Sequence, residues 1–587
     1  MNSSVSQSVV DLLLAGGVSS REEALQLAQN LNGGSWVAQV LDSGKVDETR
    51  FLNAIGQFFN VPVQSIDSKK INRDTLSILP SRFVFQHHIV PIEAKENSVV
   101  LATYDLFNTM GRQLVSQLLK KPAEWVLVPR GQLLRAIKGL YGVGAETFDE
   151  ILKTNRAFEV LQDGETATDL SADDPEASVV KFVNQIIREA IAERATDIHV
   201  EPLENDLRIR YRIDGILHEV AVPPQLRLLQ SAIISRLKVM AHMDIAERRL
   251  PQDGRMNLHA NNQEIDVRVS TIPTVNGESI SLRLLSRTDQ QFGFERLDLS
   301  EKQEKIIRHL LAQPNGIILL TGPTGCGKST SLYCFLSTIN SVQRRIITIE
   351  EPVEYRLPGV SQIDVKPEID LTFAKGLRHI LRQDPNVVMV GEIRDIETAD
   401  IAIRAAMTGH LVFSTLHTND AVGGITRLLD MDVEPFLLAS VVKAFIAQRL
   451  VRTTCPDCVE VVEYPREYLS EIGFPLELGT KFKRGRGCDN CRQTGYQGRA
   501  AIYEICVVTE PLRKLIMQKR DGSELKQCAI VEGMVSLRQD GWRRVEQGRT
   551  TIEEVVRVTQ TDEVMAETTE EAEPVVAAEM PEPIGAS

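Results

Sequence analysis

The sequence predicts a multidomain α/β chain built around a parallel-sheet core, and three observations carry that reading. Short apolar runs alternate with helix-length stretches from Pro314 to Val451, the pattern of strands fully covered by helices. A glycine-rich segment, Gly322-Pro323-Thr324-Gly325-Cys326-Gly327-Lys328-Ser329-Thr330, directly follows one of those runs, Ile317-Ile318-Leu319-Leu320. With 587 residues the chain has room for about three or four domains, and its composition shifts along its length.

The glycine-rich segment is a phosphate-binding P-loop. Its glycines let backbone N–H groups curl around an anion, a lysine reaches the β and γ oxygens, and a hydroxyl ligates Mg²⁺. Gly322, Gly327, Lys328 and Ser329 fill those places, and Pro323, Thr324, Gly325, Cys326 and Thr330 complete the cradle. The bare pattern also arises by chance, but here a strand-like run precedes it. Ser331-Leu332-Tyr333-Cys334-Phe335-Leu336 continues it as a helix whose N-terminus faces the phosphates.

Composition bounds the surroundings. The formal charge is −14, but Thr561–Ser587 holds eight acidic residues and no Lys or Arg, so the body is only mildly acidic. That balance argues against wholesale coating of nucleic acid or an anionic membrane. No run approaches the roughly 18 apolar residues of a membrane span, and Met1–Gly17 has no basic region and carries Asp11. A cytoplasmic protein is expected. Of eight cysteines, four form two CxxC pairs, Cys455-Pro-Asp-Cys458 and Cys488-Asp-Asn-Cys491. In a reducing compartment such knuckles bring four thiolates to one Zn²⁺, whose filled coordination sphere makes it structural; two disulfides or chance spacing are the alternatives.

Taken in order, residues 1–50 read as a helical extension and 51–150 as a compact α+β domain without a catalytic constellation. Residues 151–176 read as a flexible linker, since Gln162–Glu176 is rich in Asp, Glu, Thr, Ala, Gly and Ser. Residues 177–290 open with a helix whose apolar face holds Val179, Val183, Ile186, Ile187 and Ala190. Its strand Leu207-Arg208-Ile209-Arg210-Tyr211-Arg212-Ile213 sets three arginines on one face, which is either solvated or opposed to an anion. Further arginines in 248–255, 265–269 and 280–284 suggest an arginine-bearing domain beside a phosphate site. Residues 291–451 form the P-loop core, 452–500 the tetracysteine insert, 501–560 a helix-rich region and 561–587 an acidic, disordered tail.

Hydrolysis also needs a carboxylate to orient water. Glu392 follows the buried-strand candidate Val387-Val388-Met389-Val390, with Gly391 where an Asp often stands. A further strand, Ile346-Ile347-Thr348-Ile349, ends in Glu350-Glu351-Pro352-Val353-Glu354, whose carboxylates could hold water around Mg²⁺ or be solvated turn residues. Leu411-Val412-Phe413-Ser414-Thr415 is bracketed by His410 and His417, each a packing residue or a reporter of the γ-phosphate. The expected catalytic set is therefore Lys328, Glu350, Glu354, Glu392 and His417.

These segments, with Arg382-Gln383-Asp384-Pro385, Gly391-Glu392-Ile393-Arg394-Asp395, Thr408-Gly409-His410-Leu411 and Ser414-Thr415-Leu416-His417-Thr418-Asn419, occur in a familiar order. The chain resembles the secretion ATPase superfamily of type II secretion and type IV pilus systems. The likeness runs from about 177 to 548 and includes Asp197-Ile198-His199-Val200-Glu201-Pro202 and Gly495-Tyr496-Gln497-Gly498-Arg499. It implies a RecA-like P-loop ATPase core preceded by a PAS-like α+β domain, with a zinc-binding insert and an α+β N-terminal docking domain. It further implies ATP, Mg²⁺ and Zn²⁺, a homohexamer peripheral to the inner membrane, and arginines supplied to the nucleotide by Arg210 and Arg212, then Arg236, Arg249 and Arg255. The docking domain is expected to hold the cytoplasmic part of an inner-membrane linker protein of the secretion platform; it has no arginine-glycine motif for cyclic di-GMP in residues 1–60.

One departure is Glu351, where the family has Asp. The tetracysteine insert resembles assembly and export motors rather than retraction motors. Asp370–Arg378 and Met431–Leu438 look closest to the type II secretion ATPases, which drive pseudopilus assembly; the pilus-extension ATPases are the alternative. A nucleic-acid translocase is disfavoured because basic and aromatic residues are not interleaved, and a non-hydrolysing scaffold because Lys328 and Glu392 are both present. No nucleic-acid partner is expected.

Overall fold

The computed structural model describes residues 3–559 apart from 30–34, 67–70, 77, 120, 143–174, 224–225, 261–262, 287–291 and 489. Most of the expected linker at 151–176 and all of the expected tail at 561–587 lie outside the described residues. The chain divides into two compact units, Met1–Asp289 and Gln290–Ser587. No helix among the described residues is long and apolar enough to cross a membrane.

The first unit begins with the helices Ser3–Ala15, Arg21–Gln29, Trp36–Asp42 and Glu48–Phe59. Ser35 and Asp47 start the last two by accepting from the amides of Ala38 and Arg50 at 3.1 and 2.8 Å. Leu13, Val37, Val40, Phe51 and Ile55 share one apolar core with Leu101, Leu127 and Leu133. The expected boundary at residue 50 therefore falls inside a helix whose apolar face belongs to that core. A small sheet follows, in which β1 (Val90–Ala94) pairs antiparallel with β2 (Val99–Thr103), and β2 pairs parallel with β3 (Ala123–Leu127).

From Pro175 onward this unit is a six-stranded sheet packed by the helices Pro175–Ala192 and Gln230–Met240. Its strands are β4 (Asp197–Pro202), β5 (Leu207–Ile213), β6 (Ile216–Val220), β7 (Gln252–Ala260), β8 (Gln263–Thr274) and β9 (Gly277–Ser286). They lie in the order β6-β5-β4-β9-β8-β7, and every neighbouring pair is antiparallel. Alternation in β5 buries Leu207, Ile209, Tyr211 and Ile213, and the Tyr211 hydroxyl donates to the Ile186 carbonyl at 2.8 Å. The three arginines share the other face. Their repulsion is relieved by β4, whose register sets Glu201 opposite Arg208 and Asp197 opposite Arg212.

The second unit holds a seven-stranded sheet. Its parallel members are β10 (Gly316–Thr321), β11 (Ile346–Glu350), β12 (Ser361–Asp364), β13 (Val387–Val390), β14 (Leu411–Leu416) and β15 (Val442–Thr454). A hairpin of β16 (Val459–Glu463) and β17 (Lys481–Gly485) follows, and β18 (Tyr496–Val507) returns antiparallel to β15. The order is β12-β11-β13-β14-β10-β15-β18. Successive residues of β10 enter opposite cores: Ile317 and Leu319 join Val388, Val412 and Phe445, whereas Ile318 and Leu320 join Phe335, Phe413 and Ile446. Burial on both faces explains the unbroken apolar runs.

Two sequence boundaries move. Those expected at 451/452 and 500/501 cut β15 and β18, which are paired from Ala444↔Val507 to Thr454↔Tyr496. The cysteine segment is thus an excursion between two strands of the core sheet. Beyond β18 the chain is helical, with Glu510–Met517, Gly522–Val531, Leu537–Glu546 and Ile552–Val558.

Candidate functional site

Parallel pairing brings the C-terminal ends of β10, β11, β13 and β14 to one edge of the sheet, where ligands bind in open α/β folds. Thr321 pairs with Leu416, Val390 with Ser414 and Ile349 with Val390. The P-loop, Glu350, Glu392 and His417 therefore emerge at that edge. His410 precedes β14 and lies at the opposite edge, where its Nδ1 is 2.8 Å from the Ala405 carbonyl oxygen; it is a packing residue.

The loop conformation follows from its glycines. Gly322, Gly325 and Gly327 have φ of 145°, 78° and 92°, a region that side chains disfavour. A Cβ on Gly322 would come within 2.7 Å of the Gln448 carbonyl oxygen, and one on Gly327 within 2.8 Å of Gln448 Nε2. Pro323, Thr324, Gly325 and Ser329 are exposed, whereas Cys326 and Lys328 are buried. Lys328 Nζ donates to the carbonyls of Gly322 and Pro323 at 2.6 and 3.1 Å. Burial pushes the pKa of its ammonium down, which primes it for an anion that restores the charge balance.

The acids differ in kind. Glu392 has only 15% of its side chain exposed and is clasped from two sides: Oε1 by Arg394, and Oε2 by His417 Nε2 at 3.0 Å. Arg394 also reaches Glu351 at 3.2 Å, so Glu351 belongs to the same charged rim. Glu350 departs from its expected role as a solvent-facing acid. It is 5% exposed and accepts from Tyr333, from Thr348 at 2.6 Å and from Gln362 at 3.1 Å. Burial pushes its pKa up, against those donors. Its carboxylate is held by side chains from β11, β12 and the helix Lys328–Ile339 at the strand end. Glu354 is half-buried, and its amide donates to the Tyr333 hydroxyl at 3.1 Å.

The arginine candidates lie in the first unit. Arg210 pairs with Glu201, as does Arg208 at 2.9 Å, and Arg212 lies 3.7 Å from Asp197. Arg249 pairs with Glu247 at 2.8 Å, Arg236 is half-buried and Arg255 is exposed. Two groups of β15 were not anticipated at the P-loop. Gln448 is buried and accepts from Ser331 at 2.8 Å, and Arg449 donates to Asn419 O at 2.7 Å, with Nη1 3.1 Å from where a Gly322 Cβ would stand. Burial pushes the pKa of Arg449 down as it does that of Lys328. The sequence signal is slight: a polar pair inside the run Ala444–Val451.

Cys455, Cys458, Cys488 and Cys491 converge so that all four Sγ atoms lie within 4.8 Å of one another. Sγ separations are 3.8 Å for 455–488, 3.8 Å for 458–491 and 3.6 Å for 488–491. A disulfide needs about 2.05 Å, whereas a tetrahedron with bonds of about 2.3 Å sets its sulfurs about 3.8 Å apart. The amides of Cys488 and Gly495 lie 3.1 and 3.2 Å from Cys491 Sγ, as suits a thiolate. Although burial opposes it, these amides and the neighbouring thiols hold that thiol down at about 7. The donor set fits zinc.

A doubly covered parallel sheet, a glycine loop with a buried lysine and a clasped strand-end carboxylate define a P-loop nucleotide-binding protein. Residues 172–557 match the family described as type II/IV secretion system protein, and residues 59–147 match the MshEN domain. The chain belongs to this type II/IV secretion family, whose ATPases imply nucleotide hydrolysis with Mg²⁺. It is 48% identical over 391 residues to type II secretion system protein E of Pseudomonas aeruginosa, covering 67% of this chain and 77% of that one. It is 38% identical over 543 residues to the type IV pilus assembly ATPase PilB of Myxococcus xanthus, covering 92% and 96%. Among solved structures, the pilus retraction motor PilT with bound ADP aligns at 26% identity and a TM-score of 0.44, over 65% of this chain and 98% of that one.

Proposed function

We propose that the chain is a cytoplasmic ATP hydrolase that powers type II protein secretion, working as a homohexamer to drive pseudopilus assembly at the inner membrane. The observation that carries the hydrolase reading is the clasped carboxylate of Glu392 at the same sheet edge as Lys328. The loop amides and Lys328 hold the β and γ phosphates, and Ser329 would hold Mg²⁺, which supplies neutralising charge. Glu392 orients the attacking water: Arg394 and His417 each occupy one lone pair of its oxygens, and each oxygen keeps a second to accept from water. Water oxygen bonds to the γ-phosphorus, the bond to the β–γ bridging oxygen breaks, and the water proton passes through Glu392 to the released phosphate.

Arg210 and Arg212, on the PAS-like domain, supply transition-state charge in this scheme; to do so each leaves its present carboxylate partner. Cys455, Cys458, Cys488 and Cys491 would hold Zn²⁺, which cross-links the excursion between β15 and β18. The segment matching the MshEN domain is assigned to docking on the cytoplasmic part of an inner-membrane linker protein. Pilus assembly is the second reading, favoured by the extent of the match to the Myxococcus ATPase.

The test is Glu392→Gln in the full chain. Turnover should fall at least about a hundredfold, with ATP affinity within about threefold of wild type; near-normal hydrolysis would remove Glu392 from its role.

A further inference from the structure

Tyr333 is fully buried on the helix Lys328–Ile339, four residues beyond Ser329 and so about one turn away. Its hydroxyl donates to Glu350 Oε2 and accepts from the amides of Glu354 and Tyr355 at 3.1 and 3.5 Å. A hydroxyl has one proton to give and two lone pairs, and all three places are filled. One oxygen atom thus joins the P-loop helix, the end of β11 and the segment that carries Glu351 and Glu354.

The other groups on Glu350 come from elsewhere. Thr348 belongs to β11 itself, and Gln362 comes from β12. Gln362 extends the web by donating to Tyr355 O at 3.0 Å and accepting from the Leu357 amide at 2.7 Å. Of these donors, Tyr333 alone stands on the helix that follows the phosphate loop. Packing does not require the hydroxyl: the ring lies edge-on to Phe292 and Tyr355, with centroids at 5.3 and 6.1 Å, which phenylalanine would reproduce.

We propose that Tyr333 is a positioning residue for ATP hydrolysis, holding the acidic segment 351–354 in register with the helix that carries Ser329; this rests on the hydrolase reading above. The geometry suits a part that transmits displacement, because any shift of the helix would be passed to the segment 351–354 by the same link. Tyr333 does not touch the reacting atoms, so its removal should alter turnover and not the affinity for nucleotide.

The experiment compares wild type, Tyr333→Phe, Glu350→Gln, the double variant and Thr348→Val, all as full chains. Tyr333→Phe should lower kcat about tenfold, as expected for the loss of one buried hydrogen bond. KM and ATP affinity should stay within about twofold, and the unfolding temperature within a few degrees. The double variant should be no slower than the slower single one, since the two residues act as one link. Thr348→Val removes a donor from the same carboxylate without touching the segment 351–354, and should stay within about twofold of wild-type kcat. The proposal is overturned by wild-type kcat in Tyr333→Phe, by a loss that follows affinity, by additive losses, by an equal loss in Thr348→Val, or by a Phe variant that does not fold. Absence of turnover in wild type would instead refute the hydrolase reading.

Discussion

His417 Nε2 stands 3.0 Å from Glu392 Oε2, joining the ends of two neighbouring parallel strands, β14 and β13. The imidazole is half exposed, with 51% of its side chain open to solvent, whereas the carboxylate is largely enclosed. If Glu392 orients water as proposed, a histidine that clasps it from the open side is placed to sense what binds in front of it. His417→Ala should lower kcat about 10- to 100-fold while changing KM less than about threefold, in steady-state ATPase assays. An equal rise in KM would move His417 from orientation to simple binding.

The three loop glycines should not be equivalent. At Gly325 an alanine Cβ meets no heavy atom within 4 Å, and only its φ of 78° is disfavoured, a cost of about 1–2 kcal/mol. At Gly322 the Cβ also strikes the Gln448 backbone at 2.7 Å, and at Gly327 the movable end of the Gln448 side chain at 2.8 Å. Nucleotide affinity should therefore fall most in Gly322→Ala, less in Gly327→Ala and least in Gly325→Ala. Calorimetric titration with ADP reads the order directly.

The cysteine cluster should bind stoichiometric zinc, and Cys458→Ser should lose it. Because β15 carries Gln448 and Arg449 at the phosphate loop and runs on to Cys455, metal loss should loosen both ends of one strand. Chelation is expected to lower the unfolding temperature and expose the β15 and β18 amides to hydrogen exchange. A metal-free protein of full stability would contradict this.

Glu554 supplies a pH test. Burial pushes its carboxyl pKa up, but hydrogen bonds from Arg557 and Arg452 outweigh that and hold it down to about 2, from an ordinary value of 4.5. Arg557 stands on the same helix as Glu554, so it is the Arg452 bonds, from its amide at 3.0 Å and from Nη2 at 2.8 Å, that pin the helix Ile552–Val558 to β15. With a depressed folded pKa, the unfolded chain binds more protons as the pH falls. The stabilisation is thus complete above about 4.5 and is lost between there and about 2. Glu554→Gln should be destabilised at neutral pH and show a flatter stability profile across that window in denaturant titrations.

What could be read from the chain depended on how locally each feature is encoded. Gly322, Gly327 and Lys328 are legible because backbone dihedrals and charge dictate residue type within a single turn. The cysteine pairs are legible because their spacing alone matches metal geometry. The pairing of β15 with β18 was hidden because the hairpin excursion separates the partners, so boundaries drawn on composition cut both strands. Glu350 looked like its neighbours because a strand-end glutamate reads the same whether it faces water or Tyr333. The arginine face of β5 could be seen, but not its pairing with Glu201 and Asp197, which depends on register across β4.

The decisive measurement is secretion in cells whose own copy is replaced by Glu392→Gln, scored beside surface pili. The expected result is that exported enzymes accumulate behind the outer membrane while pili persist, and that the wild-type chain restores export. Normal export with Glu392→Gln in place, or export preserved and pili lost, would contradict the assignment of ATP hydrolysis at this site to type II secretion.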